Sequence, residues 1–127
     1  MNELSLLLVE DNILNQKLIF LNLTKCGYSI DIASNGALAV NKFKEKKYDL
    51  ILMDIMMPEM DGYEATKRIR QIEKKTGTYT PIIGLTANTY DADKERCIEA
   101  GMDAFLTKPF DLELFKETIK KIGLNQN

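Results

Sequence analysis

Apolar residues gather in five short runs, at residues 4–9, 30–33, 50–53, 82–85 and 104–106. Between these runs, and after the last, apolar positions recur at helical spacing: Leu14, Leu18 and Leu21; Ala39, Val40 and Phe43; Ala65, Ile69 and Ile72; Leu112, Phe115 and Ile119. Turn chemistry separates the segments at Ser34-Asn35-Gly36, Gly77 and Pro81, and Asp111 is placed to cap the last helix. The pattern predicts strands alternating with helices. Such alternation requires right-handed crossovers, and so a parallel sheet covered by helices on both faces.

Strand order follows from the same pattern. Leu6-Leu7-Leu8-Val9, Leu50-Ile51-Leu52-Met53 and Ile82-Ile83-Gly84-Leu85 are nearly continuous apolar runs, as strands buried on both faces must be. Ser29-Ile30-Asp31-Ile32 alternates polar with apolar and suits an edge; the fifth run is short, ends in Thr107-Lys108, and suits the other edge. The first, third and fourth strands are then central. This gives the order 2-1-3-4-5 of a doubly wound, flavodoxin-like (βα)5 fold.

Composition narrows the class. The 127 residues predict one domain, 1–127, with a core over 4–123; 45% are hydrophobic and 28% charged, a globular balance. A net charge of −2 gives no general attraction to nucleic acid or anionic membrane. Lys42, Lys44, Lys46 and Lys47 cluster, but with few aromatic neighbours they read as a solvated helix face. Cys26 and Cys97 have no paired spacing and read as free thiols in a reducing compartment. No charged-then-apolar leader opens the chain and no apolar run reaches bilayer length, so a cytoplasmic location is expected, or the cytoplasmic part of a membrane-bound protein. Histidine is absent, which excludes Ser-His triads and histidine metal sites within this chain.

In an open parallel sheet, chemistry collects beyond the carboxyl ends of the strands. Here those ends carry Glu10-Asp11, Asp54, Thr86 and Thr107-Lys108. Taken singly, each has a plain structural role: an aspartate or threonine caps a helix, and a lysine is a surface charge. Together they describe a crowded acidic corner beside one cation. Carboxylates held close repel one another unless a cation intervenes, and hard oxygen ligands suit Mg²⁺. Asp54 is then placed as a nucleophile that forms an acyl phosphate, with Lys108 and the Thr86 hydroxyl holding phosphoryl oxygens.

The chain resembles the receiver domain of two-component response regulators along essentially its whole length. The resemblance rests on Leu8-Val9-Glu10-Asp11-Asn12, on the stretch from Met53-Asp54 through Met56-Met57-Pro58-Glu59-Met60 to Asp61-Gly62, on Leu85-Thr86-Ala87-Asn88, and on Gly101-Met102-Asp103-Ala104-Phe105-Leu106-Thr107-Lys108-Pro109-Phe110. It implies that Asp54 is the phosphoacceptor and Asp11 a direct Mg²⁺ ligand. Glu10 acts through water, and the Met56 backbone carbonyl is a further ligand. It implies that Lys108 binds the phosphoryl group, that Lys108–Pro109 is cis, and that Thr86 and Phe105 form a switch pair.

Where the family often has two aspartates this chain has Glu10-Asp11, and Phe105 lacks the hydroxyl of the tyrosine often found there. Met56 and Asn88 flank the site and bear on phosphoryl lifetime. Asp103, Lys94, Arg96 and residues 116–120 are candidate contacts on the switching face. The motif wording, with Asn15 added, resembles receivers attached to hybrid sensor histidine kinases. The phosphoryl donor is then the histidine of a kinase or of a histidine-phosphotransfer domain, and no DNA-binding segment is expected after residue 123.

Three rival readings differ in chemistry. A haloacid-dehalogenase-like phosphohydrolase would use Asp54 as nucleophile but usually has a second aspartate two residues on, where this chain has Met56. A flavodoxin-type cofactor module would need a phosphate loop that Glu10-Asp11 opposes. A docking scaffold that is never phosphorylated has no need of Glu10, Asp11, Asp54, Thr86 and Lys108 together.

Overall fold

The computed structural model describes residues 4–57, 60–87 and 91–124, and at 91–93 the backbone alone. Asn88, and Pro58 and Glu59 of the third-strand motif, lie outside the described residues. The elements run β1 (Ser5–Val9), α1 (Ile13–Lys25), β2 (Ser29–Ala33), α2 (Gly36–Glu45), β3 (Leu50–Asp54), α3 (Gly62–Thr76), β4 (Ile82–Thr86), α4 (Asp91–Ala100), β5 (Ala104–Thr107) and α5 (Leu112–Lys121). All strand pairs are parallel and the order is β2-β1-β3-β4-β5, as the apolar patterning predicts.

Successive strand residues point to opposite faces, so each central strand feeds two cores. Leu7, Val9, Ile51 and Met53 pack under α2, α3 and α4 with Ala39, Val40, Ala65, Ile69 and Cys97. Leu6, Leu8, Leu50, Leu52, Ile83 and Leu85 pack on the other face with Ile19 and Leu23 of α1 and with Phe115 and Ile119 of α5. Helix starts are set by side-chain caps: Asn12, Asn35, Asp61 and Asp111 each accept from the backbone N–H three residues on. Gly77 ends α3 at φ +74°, a left-handed conformation glycine adopts without cost.

Helix α1 departs from its predicted stripe. Leu14, Leu18 and Leu21 do share a helical face, but it is turned to solvent, 77%, 52% and 56% exposed. Ile19 and Leu23 are the buried residues. Apolar residues encircle this helix, so periodicity alone does not choose the face that meets the sheet.

At the amino end of the sheet, Arg70 of α3 forms a clamp. Its Nε donates to Gly101 O (2.9 Å), Nη1 to Glu73 Oε1 (2.6 Å) and Thr80 O (2.8 Å), and Nη2 to Tyr79 Oη (3.2 Å) and Asp103 Oδ2 (2.9 Å). All five guanidinium donors are thereby engaged. Asp103 also accepts from Ile82 N and from the Tyr79 hydroxyl. In this structure it is a structural acceptor holding β4, α3 and the turn before β5 together, not a side chain free for a partner.

Candidate functional site

Four of the five strands, all but the edge strand β2, deliver one part of the site each. β1 ends at Val9 and is followed by Glu10 and Asp11; β3 ends in Asp54, β4 in Thr86, and β5 runs through Thr107 into Lys108. Parallel register brings these ends to the same edge. Val9 pairs with Met53, Asp54 with Leu85, and Thr86 with Thr107, while the Lys108 N–H donates to Thr86 O. One side chain shapes the loop beyond β3 by its absence. A Cβ on Gly62 would run into the Asp54 carbonyl and come 2.8 Å from Ile55 Cα, so only glycine lets α3 start directly against the end of β3.

Glu10 and Asp54 are each 1% exposed, whereas Asp11 stands at the surface. One oxygen from each of the three carboxylates lies within 4.8 Å of the others. Lys108 Nζ is 2.8 Å from Asp54 Oδ1 and 3.9 Å from Glu10 Oε1. Asp54 Oδ2 is buried and has no hydrogen-bond partner among the described residues. Glu10 is fixed from two sides, its Oε2 accepting from Asn12 N (3.1 Å) and its carbonyl from Gln16 Nε2 (2.6 Å). Burial pushes the Glu10 carboxyl up to about 7, opposed by the Asn12 N–H bond and reinforced by the Asp54 carboxylate.

The donor set fits a hard divalent cation. It offers carboxylate oxygens alone, one of them buried and unpartnered, with an exposed aspartate at the entrance. Thr86 is buried at the adjoining strand end. Phe105 of β5 pairs with Gly84 of β4, packs partly against the α3–α4 core, and has Lys94 Nζ 5.5 Å from its ring centroid. The Met56 side chain is 70% exposed. The Lys108–Pro109 peptide is cis. Glu10, Asp11, Asp54 and Lys108 therefore meet in one corner, Thr86 closes its side, and Phe105 lies two register positions back along the sheet. The Gln16 contact was not read from the sequence. Its signal is spacing: Gln16 stands four residues after the Asn12 cap, one turn into α1.

Beside this corner a cleft of about 330 Å³ is lined by Glu10, Asn15, Leu18, Ile19, Leu85, Lys108, Pro109 and Phe110. It joins the acidic site to the exposed leucine face of α1.

A doubly wound sheet with three carboxylates and a lysine at its carboxyl edge defines a class, and comparison with known proteins identifies it. The response regulator receiver domain family matches residues 6–120. Hybrid signal transduction histidine kinase I of Dictyostelium discoideum is 47% identical over 118 residues, covering 89% of this chain and 7% of that protein. Among solved structures, the receiver domain of sensor histidine kinase PA1611 from Pseudomonas aeruginosa PAO1 is similar at TM-score 0.84 and 41% identity, covering 97% of this chain and 100% of the other. That structure has a magnesium ion coordinated in its active-site cleft. The receiver domain of Saccharomyces cerevisiae Ssk1, solved with the histidine phosphotransfer protein Ypd1, is similar at TM-score 0.88 and 36% identity, covering 95% of this chain and 89% of the other. This chain belongs to the response regulator receiver domain family, and its curated relatives include hybrid histidine kinases. It spans 5% to 15% of the length of the curated relatives it matches. No helix among the described residues is long and apolar enough to cross a membrane.

Proposed function

We propose that Asp54 accepts a phosphoryl group from a phosphohistidine donor, on a histidine kinase or a histidine-phosphotransfer domain, as one step of a two-component phosphorelay. The observation that carries this is the buried Asp54 carboxylate: one oxygen is paired with Lys108 at 2.8 Å and the other has no partner among the described residues. Asp54 Oδ2 is the attacking atom. It forms the new bond to phosphorus as the bond from phosphorus to the donor imidazole nitrogen breaks, and the imidazole keeps that electron pair. Lys108 balances charge on the transferred group, the Thr86 hydroxyl donates to one of its oxygens, and Thr86 and Phe105 carry the switch. Mg²⁺ bound by Asp11, Asp54 and the Met56 carbonyl, and through water by Glu10, supplies the positive charge that lets an anion enter an acidic corner.

The donor docks on the α1 leucine face, which is contiguous with the cleft at Lys108 and Pro109. The domain occupies 1–127 with its core over 4–123. It serves in the cytoplasm, and by its relatives it is one module of a hybrid kinase. It turns over no substrate beyond slow hydrolysis of its own acyl phosphate.

The test is incubation with acetyl phosphate and Mg²⁺, followed by mass mapping. A single added phosphoryl group on Asp54, absent in Asp54→Asn and after EDTA, is the expected result. Modification elsewhere, or labelling indifferent to EDTA, refutes it. Rapid multiple turnover on phosphomonoesters would instead support the phosphohydrolase reading.

A further inference from the structure

The amino end of the sheet, opposite the acidic corner, carries the reverse charge. Helices α2 and α3 lie against each other in one core, and their last turns bear Lys42 and Lys44, and Lys74 and Lys75. Two adjoining depressions of about 240 and 190 Å³ run between them and share Lys44 and Ile72. Phe43 and Ile72, both half-buried, form an apolar floor. Lys47 borders one depression and Lys75 the other.

The state of these cations distinguishes the groove from an ordinary charged face. Lys46 is paired with Asp31, and Arg68 with Glu64. Lys44, Lys47 and Lys75 make no ion pair among the described residues. Glu45 is the only carboxylate lining either depression among the described residues, and the nearby Glu73 is buried and committed to Arg70 and the Thr80 N–H. Lysines in a last helical turn are favoured by the helix dipole. That accounts for Lys44 and Lys75, but neither for Lys47, which lies beyond α2, nor for an apolar floor between the cations.

We propose that this α2–α3 groove is a docking surface for an acidic peptide segment of a partner protein. One apolar side chain of the segment seats on Phe43 and Ile72, and its flanking carboxylates pair with Lys44, Lys47 and Lys75. Charge complementarity selects the acid, and the floor selects a peptide over a bare polyanion. A nucleic-acid backbone continuing past the groove would meet a chain of net charge −2. The groove lies across the sheet from Asp54, so a partner held there leaves the acidic corner open.

The test is fluorescence anisotropy of short labelled peptides carrying one leucine or phenylalanine among aspartates and glutamates, at low ionic strength. Saturable binding is expected, weakened by added salt and reduced about tenfold in the double variant Lys44→Glu, Lys75→Glu, which reverses two exposed charges. The variant's melting temperature and its labelling of Asp54 by acetyl phosphate should match the parent chain. No binding by any such peptide, equal binding of the amide analogues, or indifference to the charge reversal would overturn the proposal. So would preferential binding of single-stranded DNA of equal length.

Discussion

Lys108 and Asp54 form an ion pair of 2.8 Å in which the carboxylate is buried and the lysine partly exposed. The same ammonium stands 3.9 Å from Glu10, so one cation attends two buried acids. Removing it leaves two carboxylates facing each other out of water. Lys108→Met is expected to destabilise the metal-free protein by about 2 kcal/mol, below the usual value for a broken buried pair because the lysine is partly solvated. Mg²⁺ should recover part of that loss and should raise the melting temperature of the parent chain by ligand linkage. Melting curves with and without Mg²⁺ check both. A metal-independent deficit would show that the acids are not the ion's ligands.

Arg70 tests the opposite end of the molecule. Arg70→Met strands the buried Glu73 carboxylate and unmakes five hydrogen bonds, so a loss of about 3 kcal/mol is expected in urea unfolding. Arg70→Lys should recover little, since an ammonium cannot reproduce the planar fork or the stacking on Tyr79 at 4.2 Å.

The α1 leucines separate docking from chemistry. Leu14→Asp and Leu18→Asp change side chains that are 77% and 52% exposed and lie outside the core, so each should cost no more than about 1 kcal/mol of stability. Labelling by acetyl phosphate should persist, while transfer from a protein phosphohistidine donor should slow by tenfold or more, on the order of one lost apolar anchor. Equal loss with both donors would place the defect at Asp54.

Tyr48 supplies a pH signature. Burial, then the hydrogen bond to Asp31 (2.7 Å), raises its hydroxyl well above the ordinary value of 10, so the folded state favours the protonated form. Burial raises Tyr28 too, to about 12. The stability these groups contribute is complete below pH 10 and is lost as pH rises through their folded values. Tyr48→Phe should cost about 1 kcal/mol at neutral pH. It should also shallow the alkaline fall in stability above pH 10, followed by denaturant unfolding together with phenolate absorbance. An unchanged alkaline slope would mean that Tyr48 ionises as readily in the folded chain as in the unfolded one.

The sheet was legible because its signal is composition. Leu6 to Val9, Leu50 to Met53 and Ile82 to Leu85 are apolar on both faces, and only central strands can be. The corner was legible for a related reason: topology alone sends every strand end to one edge, so Glu10, Asp11, Asp54 and Lys108 had to meet. What escaped depends on choices between equivalent options. In α1, Leu14, Leu18 and Leu21 satisfy helical spacing as well as Ile19 and Leu23 do, and packing against Leu8 and Phe115 decides for the latter. Asp103 reads as an ordinary exposed acid until folding sets Arg70, thirty-three residues earlier, beside it.

Arg70 has a mechanical meaning as well. It pins α3, the segment entering β4 and the turn leading into β5 to one another, at the end of the sheet opposite Asp54. The far rim has no comparable rivet among the described residues. A rearrangement begun at Asp54, as proposed above, would therefore work against a stiff foundation, with its displacement spent in the loops above rather than dissipated through the sheet.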